Sequence, residues 1–169
     1  MTRRSKKKNK NKKQQKNNKS AEKLYNIKQK MIANTTDVIK LAVYGEYRRQ
    51  DQKDHKLLKD SKYLGTCETL PKYTLYDLKD FAGLTNEGST SIIVDVYEIK
   101  RDYLTKLDKE HNYNMYREEP VSNTFIRKSC WTPFGAARIY FYNKTERNIL
   151  KPKEVIFGDW LEYQKLFWK

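Results

Sequence analysis

VIKLAVYG, residues 38–45, is the stretch on which the fold turns. It is an apolar, β-branched run that stops at a glycine beside charged residues. That pattern predicts a central strand entering a turn where the backbone needs freedom from a Cβ. Upstream, Asn34 to Asp37 breaks the pattern. Before the break, residues 20–33 (SAEKLYNIKQKMIA) place Leu24, Ile27 and Met31 on one stripe after a capping Ser20, which predicts a short helix or adapter. Downstream, the very polar residues 48–60 (RRQDQKDHKLLKD) predict a loop and short helix over the end of that strand.

Further along, residues 69–78 (TLPKYTLYDL) alternate enough for a strand after a turn at Pro71, and residues 81–88 (FAGLTNEG) suggest a loop. Residues 91–99 (SIIVDVYEI) carry the strongest strand signal, and 102–112 (DYLTKLDKEHN) the best helix signal, with Tyr103, Leu104 and Leu107 facing inward. Residues 115–128 and 137–143 are expected as strands. In the second, Tyr140 and Tyr142 alternate with Ile139 and Phe141, so one pair is core and the other lines something or faces water. The chain closes with a turn at Gly158 and a helix from Trp160, for which Asp159 is the natural cap. These elements predict one mixed α/β (α+β) domain over residues 38–169, preceded by a basic arm (1–20) and the adapter (21–37).

The arm holds Arg3, Arg4, Lys6, Lys7, Lys8, Lys10, Lys12, Lys13, Lys16 and Lys19 and no acid, so most of the net charge of +15 sits there. The remainder, with 26 basic and 21 acidic residues, is ordinary. Like charges without apolar partners are expected to stay unfolded. Such an arm suits nonspecific contact with nucleic acid, another polyanion or a partner assembly through counterion release, or simply a solubilising tail. Apolar runs fall short of the roughly 18 residues of a membrane span, and the arm lacks a secretory core. Two cysteines, Cys67 and Cys130, make no disulfide framework, and Cys and His spacing suggests no metal site. No cofactor is implied: the phosphate-cradling glycine patterns of nucleotide-binding sheets are missing. A reducing, cytoplasmic setting is the expectation, with a phage origin and a virion interior compatible with the composition. Helix-turn-helix, zinc-finger and RRM-type signals are lacking, which argues against a sequence-specific nucleic-acid reader.

The ordered set VYGEYRR (43–49), YLG (63–65), YTLYDL (73–78), AGL (82–84), VDVYEI (94–99), LDKE (107–110), MYR (115–117), ARIYFYN (137–143) and GDW (158–160) resembles the gamma-glutamylcyclotransferase-like superfamily, with its AIG2-like and gamma-glutamylamine cyclotransferases. The resemblance implies a small, strongly bent, partly closed β-sheet with short helices and a cavity at one end. It also implies release of 5-oxoproline as a substrate's α-amine attacks its own γ-glutamyl carbonyl, with one carboxylate moving the proton. The implied substrate-binding positions are Tyr44, Gly45, Glu46, Tyr47, Arg48 and Tyr116. The family turn usually reads Tyr-Gly-Thr/Ser-Leu-Arg. Here Glu46 puts a negative charge beside a pocket expected to hold a carboxylate, unless Arg48 or Arg49 neutralises it or it points outward. Counting from Tyr116 and Arg117 places the acid–base carboxylate at Glu110, whereas counting from Leu107 and Asp108 reaches His111. His55 falls where the family often borders its pocket with a polar residue. Glu110 on a polar helix face and His111 in a loop are equally what an idle surface looks like. An inactive protein of this fold, acting through its arm, stays open beside the enzyme.

Overall fold

The computed structural model describes residues 38–116, 122–143 and 152–168. The arm, the 20–33 helix and the 21–37 adapter lie outside them. The described elements are β1 (Val38–Val43), β2 (Lys62–Glu68), β3 (Tyr73–Asp77), β4 (Ala82–Thr90), β5 (Ile93–Lys100), α1 (Arg101–Glu110), β6 (Phe125–Thr132), β7 (Gly135–Tyr142), β8 (Lys153–Glu154) and α2 (Trp160–Phe167).

β1 is the middle of a five-stranded sheet ordered β2-β5-β1-β7-β6. It runs antiparallel to β5, from Val38 opposite Lys100 to Val43 opposite Asp95, and parallel to β7, with Leu41 opposite Arg138. Flanked on both sides, it is buried on both faces, and this is why it reads as an unbroken apolar run. Its side chains alternate between two cores. Ala42 and Tyr44 join Leu75, Leu84, Val94, Val96, Ile139, Phe141 and Trp160 on one face. Leu41 and Val43 join Leu58, Tyr97, Ile99, Leu104, Leu107 and Tyr140 on the other. Each fully buried leucine contributes about 1.5–3 kcal/mol of transfer free energy.

The second sheet has three strands, ordered β4-β3-β8. The expectation of a strongly bent, partly closed sheet is therefore corrected. Both sheets are open, one ending at β2 and β6 and the other at β4 and β8, because β5 and β7 already occupy both edges of β1.

Three local expectations also change. Residues 82–90 form a strand where a loop was expected. Their glycines and asparagine have poor strand propensity, but β3 supplies a ladder and Ala82 and Leu84 are buried, so tertiary pairing overrides propensity. The polar segment 48–60 forms turns without an α-helix, and Leu58 plugs it into the core. β2 is an edge strand whose mixed polarity hid it. In residues 115–128 the strand begins only at Phe125, Met115 and Tyr116 lying in a turn. The terminal helix matches expectation: the Asp159 carboxylate accepts the Leu161 and Glu162 amides, and Gly158 adopts φ +63°, where a Cβ would lie 1.9 Å from the Ser91 carbonyl oxygen.

Candidate functional site

Beyond β1 the chain makes a 3₁₀ turn, Gly45–Tyr47. Gly45 has φ +65°, and a Cβ there would meet the Ala82 Cβ at 2.7 Å, so only glycine lets the turn press against the start of β4. Tyr44 joins the two sheets: its hydroxyl donates to the Tyr140 carbonyl (2.8 Å) and accepts the Leu84 N–H (3.2 Å). The turn thus closes one wall of a cavity of about 200 Å³, lined by Ala42, Val43, Tyr44, Glu46, Tyr47 and Phe81 on one side and by residues around the end of α1 and the start of β6 on the other.

The expected substrate-binding residues divide. Tyr44, Glu46 and Tyr47 line the cavity, and Gly45 shapes it without lining it. Arg48 faces the opposite way, pairing with Asp159 at 2.7 Å and Asp95 at 3.6 Å. Tyr116 is highly exposed and borders a separate open cleft beside α1. Arg49 pairs with Asp54, so neither arginine neutralises Glu46. Glu46 does not point outward either. Its carboxylate is half-buried in the cavity wall and accepts the Ala82 N–H at 3.3 Å. Burial pushes this carboxyl above its ordinary value, opposed by the amides of Glu46 itself and Ala82.

Glu110 and His111 end α1, and both line the cavity. Glu110 is exposed at its mouth. The His111 ring stacks on Tyr140 with centroids 3.9 Å apart and planes 7° apart, and on Tyr47 at 4.9 Å. Its Nδ1 lies 2.8 Å from the Leu107 carbonyl oxygen. A carbonyl only accepts, so Nδ1 bears the proton, and Nε2 carries the lone pair of the neutral ring. Burial holds His111 below its ordinary value of 6.5. The Tyr47 phenol is pushed well up by burial, then by Glu110 and Glu46, so the two carboxylates both act on one hydroxyl. His55 lies outside the cavity, its ring 4.5 Å from that of Tyr47.

Tyr140 was legible as one of an alternating pair. The structure assigns Ile139 and Phe141 to a core and gives Tyr140 a cavity-lining position, its hydroxyl donating to Asp108 at 2.6 Å while Arg127 holds the same carboxylate. Phe81 and Phe125 carried no sequence signal as site residues, because nothing local marks which end of the sheet an aromatic will close. Among the described residues no group of His, Cys, Asp or Glu is placed to hold a metal ion, and no helix is long and apolar enough to cross a membrane.

A mixed sheet with an aromatic-walled cavity at the end of its central strand defines a small-molecule-binding α/β domain. The profile of the family "Gamma-glutamyl cyclotransferase, AIG2-like" matches residues 41–162, and the chain belongs to that family. It is 36% identical over 120 residues to a Vibrio cholerae protein provisionally named a gamma-glutamylcyclotransferase, a match covering 71% of this chain and 93% of the relative. The solution structure of Escherichia coli ytfP is similar at 25% identity and a TM-score of 0.55, over 75% of this chain and 99% of that one. An uncharacterised Pyrococcus horikoshii protein shares the fold, with 22% identity, a TM-score of 0.57, and coverage of 76% and 94%.

Proposed function

We propose that the protein is a cyclotransferase that releases 5-oxoproline and a free amine from γ-glutamyl amines, with Glu110 moving the proton. The observation that carries this reading is the cavity itself, in which a mouth carboxylate without a cationic partner among the described residues faces an aromatic interior. Closing a five-membered ring needs only one bound molecule, so the protein has no second reactant to position. A carboxylate at the mouth meets both groups that matter: it can take the ammonium proton and return it to the amine that departs toward solvent. Tyr47, kept protonated by burial, remains a hydrogen-bond donor for the oxyanion that develops. His111, neutral and clamped between two tyrosines, serves as wall.

A second reading draws on a different observation. Glu46 occupies the Ala82 amide that would otherwise be open to a bound carboxylate. That favours a catalytically silent protein, acting through residues 1–20 on nucleic acid or a partner assembly. The deciding measurement is 5-oxoproline formation from γ-glutamyl-alanine and γ-glutamyl-ε-lysine. Glu110→Gln keeps size and hydrogen bonding but cannot act as a base, so a loss of at least about 100-fold is expected. An unaffected Glu110→Gln beside an equally crippled His111→Ala would transfer the role to His111. If wild type turns over neither compound, and salt-sensitive nucleic-acid binding disappears on deleting residues 1–20, the second reading holds.

A further inference from the structure

Glu46 is an anion built into a site whose proposed ligands are themselves anionic at the α-carbon. Its carboxylate accepts the Ala82 amide, and its own amide also points to it. These donors lower the cost of burial without removing the charge. The ionisable groups that line the cavity with it are Glu110, a neutral His111 and three tyrosines; no lysine or arginine lines it. The two nearest arginines in sequence are committed to Asp95, Asp159 and Asp54. A ligand carboxylate entering here finds no cation and meets one buried like charge, an arrangement that costs several kcal/mol and so rejects it. The walls favour the opposite sign. Tyr44, Tyr47, Phe81, Phe125 and Tyr140 surround the space, and aromatic faces attract ammonium groups.

We propose that the preferred substrates are amides of a 4-ammonio acyl chain that lacks the α-carboxylate, 4-aminobutyryl amides, with Glu46 pairing with the ammonium. The proposal rests on the cyclisation reading above and changes its substrate class. The reaction is the same ring closure. The amine nitrogen forms a bond to its own acyl carbon and the amide C–N bond breaks. The products are 2-pyrrolidinone and an amine that carries away the proton the ammonium gave up. Size agrees with charge. At roughly 30 Å³ per heavy atom, the six heavy atoms of the aminobutyryl group fill a cavity of about 200 Å³. The three atoms of an α-carboxylate would have to sit against Glu46 or project from the mouth.

The test compares kcat/KM for a matched pair, 4-aminobutyryl and γ-glutamyl amides of 7-amino-4-methylcoumarin, after subtracting spontaneous cyclisation. Wild type is expected to favour the aminobutyryl amide by at least about tenfold, and Glu46→Thr to reverse the preference. A γ-glutamyl preference in wild type that Glu46→Thr leaves unchanged overturns the inference while the cyclisation reading stands. Turnover of neither compound overturns the cyclisation reading and the lactam product with it. Binding then decides the charge rule separately, from NMR titrations with butylammonium and with butyrate. Butylammonium binding that Glu46→Gln weakens at least about tenfold supports cation recognition. Butyrate binding as tightly as butylammonium overturns it.

Discussion

Arg48 and Glu46 stand two residues apart on either side of Tyr47, and the turn sends them to opposite environments. Arg48 is 8% exposed, and it meets Asp159, which caps α2, and Asp95, which is 1% exposed on β5. Asp95 accepts in addition the Arg49 amide at 2.7 Å and the Thr66 hydroxyl at 2.6 Å. Charge and hydrogen-bonding capacity are both matched there, so the cluster joins β1, β2, β5 and α2 and leaves nothing for a ligand. Glu46 has backbone amides and no cation among the described residues. A buried charge with its partners is architecture; a buried charge without a counter-ion is a place where something else binds or reacts.

The largest effect should come from unbalancing the satisfied side. Asp95→Ala leaves Arg48 without its buried carboxylate and strips acceptors from two further donors, for an expected loss of about 3–5 kcal/mol in urea unfolding. A loss no larger than that of a surface substitution would abolish the contrast between the two sides of the turn.

A smaller effect of opposite sign is expected at Glu46. Its pKa is raised in the folded state, so the stability it contributes is fully present below its ordinary value of 4.5 and is lost as pH rises through the folded value. Glu46→Gln removes that loss. The variant should match wild type at pH 4 and be more stable at pH 7, by on the order of 1 kcal/mol. Equal stability of the two at pH 7 would mean that a cation already balances the carboxylate.

The smallest effect belongs to His111. Its folded pKa is depressed by burial, so its contribution is intact above 6.5 and is lost as pH falls through the folded value. The ring-proton NMR titration should show a midpoint below 6.5 and below that of a histidine in the urea-unfolded chain. A midpoint above 6.5 would place a carboxylate in direct contact with the ring.

Legibility followed locality. β1, β5, β7 and α1 were visible because each carries its periodicity within a few residues, and the α2 cap because Gly158, Asp159 and Trp160 are adjacent. The cavity turn was visible through Tyr44 and Gly45, and the conflict at Glu46 through its charge. The directions of Arg48 and Glu46 were not visible, because a 3₁₀ turn sets them through its contact with Ala82, more than thirty residues away. Between Glu110 and His111, two counts along the chain disagreed. The helix end resolves the question of position by leaving Glu110 at the mouth and folding the imidazole between Tyr47 and Tyr140.

By itself, the order of apolar runs, glycines and caps determined which segments form the central strand and helices, and the residues around Tyr44-Gly45 marked where the sheet would open into a site. Those properties depend on neighbours within one or two turns of chain. Tertiary structure alone decided that residues 82–90 pair as a strand, that the strands divide into two open sheets, and that Glu46 faces the cavity while Arg48 faces Asp95 and Asp159. Each of those outcomes depends on partners distant in sequence, and burial against them outweighs the local preference of the residues involved.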